Sequence, residues 1–183
     1  MKTSLGGAHM DKYFNSDLVL ASPELTAAVV TSVLTPELKR LEVAPDWVIS
    51  YAPYGLFVAH AVASAIGTRC AYGDPAIGYE THFEIASQEL VLIVADDINS
   101  GRSVVKMIEQ VEILGARAAP IVFCLANLSG ASRLADREIV SAVALDARRF
   151  KEEACPLCDE GSPALLPRPN WNALTRGTYS VPG

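Results

Sequence analysis

The segment Val91-Leu-Ile-Val-Ala-Asp-Asp-Ile-Asn-Ser-Gly-Arg-Ser103 decides the fold, because its character changes part-way along. The apolar run at its start predicts a strand that is buried on both faces. Two carboxylates follow, and short polar residues then surround Gly101, before a predicted helix over residues 103–114. A loop between a strand and a helix start is typical of a phosphate site, since backbone N–H groups and the positive end of the helix dipole face the ligand.

The two carboxylates, Asp96 and Asp97, restrict what this loop can bind. They would repel a bare anion, so the ligand should also offer hydroxyl groups or a divalent cation. A sugar phosphate with a metal satisfies both requirements. A Walker A loop and a dinucleotide fingerprint are excluded, because the segment lacks the required lysine and has a single glycine. The alternative that the two Asp residues simply end a strand and cap a helix stays open.

The rest of the chain predicts an α/β fold. Strands are predicted over residues 47–51, 69–72, 81–85, 90–95, 119–126 and 139–145, and helices over 22–34, 36–41, 55–66 and 103–114. Alternating strands and helices indicate a central parallel sheet flanked by helices. Ligands of such sheets bind beyond the carboxyl ends of the strands, which places residues 96–102 at the expected site. Residues 1–15 and the last thirty or so residues show little regular pattern.

Composition limits the class of partner. The chain has 183 residues, of which 50% are hydrophobic, and a formal net charge of −6. This charge argues against nucleic acid or an anionic membrane as the main partner. The absence of a long apolar run, of a signal-peptide pattern and of a cysteine framework predicts a cytoplasmic protein with reduced thiols at Cys70 and Cys124.

The quoted segment resembles the phosphoribosyl-diphosphate (PRPP) binding motif of type I phosphoribosyltransferases. Three other segments resemble orotate phosphoribosyltransferases in particular. They are the N-terminal segment Gly7-Ala-His-Met-Asp-Lys-Tyr-Phe-Asn15, the diphosphate loop and helix in Tyr51-Ala-Pro-Tyr-Gly-Leu-Phe-Val-Ala-His-Ala-Val-Ala63, and the tail Cys155-Pro-Leu-Cys-Asp-Glu-Gly-Ser-Pro163. Their order and spacing extend the resemblance over almost the whole chain.

The resemblance implies a single phosphoribosyltransferase-like domain over residues 1–183, with a core at about 45–147 and a hood from about 1–20 and 150–183. It implies a homodimeric, magnesium-dependent enzyme that converts orotate and PRPP to orotidine 5'-monophosphate and diphosphate. Asp96 and Asp97 would be catalytic, and Asp96 is also the candidate protein ligand for magnesium, which the substrate mainly holds. Base binding would involve His9, Tyr13 and Phe14. The implied PRPP-binding residues are Tyr54, Gly55, Asp96, Asp97, Asn99, Ser100, Gly101, Arg102 and Ser103.

Two departures from the family pattern keep other functions open. With the glycine aligned, Ala95 and Asp96 stand where the family has its acidic pair, and Asp97 stands at an aliphatic position. Because side chains alternate along a strand, this shift could turn Asp97 away from the ribose. Loop 73–84, where these enzymes supply cations, contains no Lys or Arg. The alternatives are a non-catalytic or regulatory PRPP- or nucleotide-binding protein, and a phosphoribosyltransferase for another base.

Three residues outside the motif receive structural interpretations. His60 lies in an apolar helix and is predicted to be a buried core histidine. Cys155 and Cys158 have the spacing of half a zinc site. Because no second Cys or His pair lies nearby in sequence, a structural turn is favoured over a metal site there.

Overall fold

The computed structural model describes residues 2–5 and 8–176. Gly7 of the N-terminal segment and residues 177–183 of the expected hood lie outside the described part. The chain divides into two compact units. We call residues 16–145 the core unit, and the two chain ends, up to residue 15 and from residue 146, the end unit.

The described residues form strands and helices with the following bounds. The strands are β1 (Lys2–Leu5), β2 (Ala8–Met10), β3 (Trp47–Tyr51), β4 (Arg69–Gly73), β5 (Leu90–Ile98), β6 (Arg117–Asn127), β7 (Arg133–Leu134), β8 (Arg137–Ala144), β9 (Arg149–Lys151) and β10 (Ala164–Leu165). The helices are α1 (Asp17–Leu20), α2 (Pro23–Val29), α3 (Thr35–Arg40), α4 (Tyr54–Ile66), α5 (Arg102–Ile113), α6 (Pro156–Asp159) and α7 (Trp171–Arg176).

The core unit contains a six-stranded sheet in the order β4-β3-β5-β6-β8-β7. Strands β4, β3, β5, β6 and β8 are parallel, and the short edge strand β7 is antiparallel to β8. Strands β5 and β6 lie at the centre, and their apolar residues are almost wholly buried. The predicted parallel sheet with flanking helices is therefore confirmed.

The end of α4 and the start of α5 lie close to the positions that the sequence predicts. Gly67 closes α4 in the left-handed conformation, with φ 71°. Helix α5 packs its apolar side chains, including Met107 and Val111, into one buried cluster with Ile93 and Ala95 of β5. This packing fixes the start of α5 close to the end of β5, where the quoted loop joins them.

Some predicted elements were wrong. Residues 81–85 form no strand, because their backbone does not pair with another strand. The segment is held by its side chains instead. Phe83 packs edge-on against Trp47 and Tyr72, and Ile85 is buried. Helices α2 and α3 are joined by a π-helical turn, Val30–Leu34, instead of being separate helices.

The end unit is more regular than its sequence suggests. Its strands form a four-stranded sheet in the order β10-β1-β2-β9. Short strands from both chain ends complete one another in this sheet, so neither end alone shows a strong strand pattern. None of the helices in the described part of the chain is long and apolar enough to cross a membrane.

Candidate functional site

The loop between β5 and α5 has the geometry of an anion-binding loop. Gly101 stands at the N-cap of α5 with φ 73°, a left-handed conformation that glycine adopts without steric cost. A Cβ atom at this position would lie 2.7 Å from Cδ1 of Leu134 in β7. The chain therefore turns sharply into α5 at a place where a side chain would need both backbone strain and a displaced neighbour.

A small cavity of about 80 Å³ lies in this loop. It has room for several water molecules or one phosphate group. Its lining consists of Tyr51, Asp97, Ile98, Asn99, Ser100, Gly101, Arg102, Ser103 and Val104. The structure thus brings together six of the PRPP-binding residues implied by the resemblance.

The two carboxylates lie on opposite faces of β5. Asp96 is only 7% exposed, and its Oδ2 accepts a hydrogen bond of 2.9 Å from the buried hydroxyl of Ser16. Asp97 is half-buried and lines the loop cavity. Because side chains alternate along a strand, Asp97 shares a face with Ala95, about 6.6 Å farther along β5. The shift of the acidic pair thus keeps a carboxylate on the α5 face, and this carboxylate faces the loop.

Two tyrosines complete the loop site, and neither was among the site residues that the resemblance implied, although Tyr51 begins the segment resembling the diphosphate loop. Burial, and then the charges of Asp96 and Asp97, raise the pKa of the Tyr51 phenol far above its usual value, so Tyr51 stays a hydrogen-bond donor. The hydroxyl of Tyr79 donates a hydrogen bond of 2.9 Å to Oγ of Ser103. The rings of Tyr51 and Tyr79 meet edge-on at 5.9 Å. An aromatic residue at the end of a predicted strand was the available signal for Tyr51, whereas nothing local indicated Tyr79.

The segment expected to bind diphosphate lies at the start of α4. Gly55 is buried there, and a Cβ atom on it would lie 2.0 Å from Oγ of Ser50. That hydroxyl donates a hydrogen bond of 2.6 Å to the carbonyl of Val94 in β5. Glycine at this position allows α4 to begin directly against β3 and β5. Tyr54 and Gly55 do not belong to the lining of the 80 Å³ cavity.

The residues expected to bind the base belong to the end unit. Tyr13 meets Trp171 edge-on, with 6.2 Å between ring centroids. Phe14 is half-buried. His9 is 4% exposed, and its Nδ1 lies 3.4 Å from Sγ of Cys158. Base binding by these three residues stays a prediction.

Two interpretations of single residues need correction. His60 is exposed instead of buried, because it lies on the face of α4 that points away from the sheet, beside the exposed Phe57. Cys124 is a buried thiol whose pKa is raised by burial and then by the charges of Asp97 and Asp96, as expected for an inert core cysteine. The second correction concerns Cys70, which is only half-buried and is not a core cysteine like Cys124, although burial raises the pKa of its thiol as well.

Comparison with solved structures defines the class. A crystal structure of orotate phosphoribosyltransferase from Aeropyrum pernix has a TM-score of 0.63 at 22% identity and covers 79% of this chain and 85% of that one. Adenine phosphoribosyltransferase from Thermoanaerobacter pseudethanolicus has a TM-score of 0.61 at 17% identity, covering 73% and 88%. With the parallel sheet and the loop after β5, these likenesses define a type I phosphoribosyltransferase fold.

Sequence relatives narrow the class to a family. The chain is 31% identical over 170 residues to orotate phosphoribosyltransferase of Chlorobaculum parvum, a match that covers 91% of this chain and 86% of that relative. It is 30% identical over 166 residues to the enzyme of the same name from Desulforamulus reducens, covering 88% and 84%. No protein-family model matches the chain. The chain belongs to the orotate phosphoribosyltransferase family.

Proposed function

We propose that this protein is a pentosyltransferase that transfers the phosphoribosyl group of PRPP to orotate, forming orotidine 5'-monophosphate and diphosphate in pyrimidine synthesis. The observation that carries the proposal is the Asp97-lined cavity of the β5–α5 loop in a chain of this family. It combines an anion site with a carboxylate, as a phosphorylated sugar requires.

The loop binds the 5-phosphate of PRPP in this proposal. Backbone N–H groups at the start of α5 and the helix dipole, worth about half a positive charge, favour an anion at this position. Ser103 accepts the hydrogen bond of Tyr79, so its own hydroxyl hydrogen can be donated to a phosphate oxygen. Asn99 and Ser100 add short polar side chains to the same cavity.

Asp97 acts on the ribose. The base nitrogen forms a bond to C1 while the bond from C1 to the diphosphate oxygen breaks, and the bonding electrons leave with the diphosphate. Positive charge develops on the sugar in the transition state, and the Asp97 carboxylate stabilises it. Asp96 lies behind the strand and is held by Ser16, so it supports the end of β5 and adds negative potential.

The residues present fit a magnesium ion bound with the substrate. Carboxylate oxygens are ligands that Mg²⁺ accepts, and the ion is usually held by one or two carboxylates plus substrate phosphates. Asp97 is better placed for such a contact than the predicted ligand Asp96, which is buried and hydrogen-bonded to Ser16. When bound, Mg²⁺ supplies the positive charge that neutralises the departing diphosphate.

A homodimer belongs to the proposal, with the second copy covering an exposed apolar face of the core unit. Leu56 and Phe57 are exposed there, and Phe57 is 58% exposed. Helices α2 and α4 line an apolar groove of about 770 Å³ on this face. An apolar patch of this kind marks an interaction surface. We place the protein in the cytoplasm, because none of its four cysteines forms a disulfide.

A second candidate function is PRPP binding without catalysis. The charge around the loop favours it, since Arg102 is the single cation among the described residues that line the cavity, and the described loop 73–84 has no Lys or Arg. A phosphoribosyltransferase for another base is the third candidate.

One experiment separates the three candidates. The purified protein is incubated with PRPP, Mg²⁺ and orotate, uracil or adenine in turn, and base consumption and diphosphate release are measured. We expect orotate to be consumed, with one diphosphate formed per orotidine 5'-monophosphate. If calorimetry shows PRPP binding and no base is consumed, the protein has the non-catalytic function. If only uracil or adenine is consumed, the protein is a phosphoribosyltransferase for that base and not for orotate.

A further inference from the structure

Three metal-ligating side chains meet in the end unit. His9 is in β2, Cys155 caps the start of α6, and Cys158 lies within α6. One ligand atom from each residue lies within 4.8 Å of the other two. The pair that is separated most in sequence, Nδ1 of His9 and Sγ of Cys158, is 3.4 Å apart.

These distances suit a tetrahedral zinc site. Zinc–sulfur bonds of about 2.3 Å and zinc–nitrogen bonds of about 2.0–2.1 Å at tetrahedral angles put sulfur and nitrogen about 3.6 Å apart, and two sulfurs about 3.8 Å apart. The observed 3.4 Å between Nδ1 and Sγ is close to the first value. Two thiolates and an imidazole are also the soft and borderline donors that select zinc over magnesium or calcium.

The backbone around the two cysteines presents both thiols to one point. The N–H of Cys158 donates to the carbonyl of Cys155 at 2.9 Å, and the N–H of Gly161 donates to the carbonyl of Cys158 at 2.8 Å. Gly161 adopts φ 72°, a left-handed conformation that allows this tight return of the chain. The Cys-Pro-Leu-Cys turn therefore holds two potential metal ligands near each other, and His9 approaches them from the other chain end.

Burial gives a reason for a metal at this place. His9 is 4% and Cys155 is 2% exposed, so their polar atoms lie away from water. Among the residues whose burial is described, the end unit buries few apolar side chains, namely Met10, Ala147, Cys155, Leu165 and Pro167. Units with such small cores commonly depend on a metal or a disulfide. A metal here would join two segments that are 149 residues apart in sequence.

We propose that the end unit holds one structural zinc ion, bound by Nδ1 of His9 and the thiolates of Cys155 and Cys158. Each cysteine releases its thiol proton to solvent when the ion binds, and a water molecule or an anionic ligand takes the fourth position. The ion joins β2 to the segment around α6 and stabilises the end unit. This role uses Nδ1 of His9, so the predicted contact of His9 with the base would have to be made through Nε2.

Metal analysis of the full-length protein tests this proposal. The protein is purified without chelators from cells grown with zinc, and its metal content is measured by elemental mass spectrometry. We expect close to one zinc ion per chain in the wild type and in the control Cys70→Ser, whose thiol lies in the core unit. Cys155→Ser, Cys158→Ser and His9→Asn should each retain less than about a tenth of this amount.

A second measurement decides the question if these variants do not fold. Zinc is removed from the wild type under reducing conditions, Co²⁺ is added, and the spectrum is recorded. Tetrahedral d–d bands and a sulfur-to-cobalt charge-transfer band are expected, together with a lower melting temperature for the metal-free protein than for the zinc form. A wild type that contains no zinc and gives no such bands overturns the proposal. Zinc that remains bound to folded Cys155→Ser and Cys158→Ser, or a Cys155–Cys158 disulfide with no metal binding after reduction, also overturns it.

Discussion

Replacement of Asp97 by Asn tests the assignment of the two carboxylates. Asp97→Asn keeps the size of the side chain at the loop cavity and removes its charge. Asp96→Asn is the matched control, because Asp96 is adjacent in sequence but lies on the opposite face of β5, hydrogen-bonded to Ser16. We expect the first change to reduce the turnover rate and the second to act mainly on stability.

The size of the effect follows from the partial exposure of Asp97. At an effective dielectric constant of about 20 and a separation of about 5 Å, a full unit charge on the ribose is stabilised by about 3 kcal/mol. A transition state with about half of that charge gains about 1.5 kcal/mol, so kcat should fall about 10- to 20-fold. Asp96→Asn keeps an oxygen that can accept the Ser16 hydrogen bond but adds a buried NH₂ group, which costs about 1–3 kcal/mol of stability where it finds no acceptor.

Steady-state kinetics with PRPP and orotate, together with thermal unfolding of each variant, measure both effects. The loss in Asp97→Asn should appear in kcat more than in KM, since the interaction is strongest in the transition state. The reasoning is refuted if folded Asp97→Asn keeps its turnover rate while Asp96→Asn, equally well folded, loses its rate about 100-fold. That result would assign the ribose to the opposite face of β5.

Three further changes test other parts of the structure. Gly101→Ala should raise the KM for PRPP about 10-fold or more, because the left-handed φ and the approach to Leu134 displace the loop; an unchanged KM would contradict the assignment of the loop. Burial raises the pKa of Asp11, but hydrogen bonds from Arg148 outweigh burial and hold that pKa below the ordinary 3.8. The ionised Asp11 therefore stabilises the folded protein above about pH 4, and this stabilisation is lost as the pH falls through the lowered pKa. Unfolding measured from pH 6 to 3 should therefore show a shallower pH dependence for Asp11→Asn than for the wild type. Phe57→Glu should convert the proposed homodimer to monomer in sedimentation experiments, and a variant that is as dimeric as the wild type would exclude this face as the interface.

Local patterns predicted the frame of the site well. The apolar run before Asp96 indicated a central strand, and Gly101 indicated the loop, because both signals depend on neighbouring residues. The contribution of Tyr79 could not be predicted, since its hydroxyl reaches Ser103 from a loop 24 residues earlier. The same limit applied to Cys155 and Cys158, because their third neighbour comes from the other end of the chain.

The acidic pair is shifted by one residue, but one of its carboxylates lies at the loop cavity. The buried Ala95 occupies a position where the family carries an acid, and side-chain alternation applied to this shifted register led to the hypothesis that Asp97 points away from the ribose. In the structure, Asp97 shares the face of Ala95, two residues nearer to the loop, and its carboxylate lines the cavity.

Charge balance around the loop explains why the proposed reaction requires a metal. Of the described residues that line the cavity, Arg102 alone carries a positive charge, and Asp97 offsets it. Tyr51 adds a donor but no charge, because burial and both carboxylates keep its phenol protonated. The N–H groups of the loop and the dipole of α5, which is equivalent to about half a positive charge, can stabilise the negative charge of one phosphate group. In the proposed reaction the diphosphate of PRPP therefore has to bring its own cation, and the half-buried Asp97 would be the carboxylate that shares it.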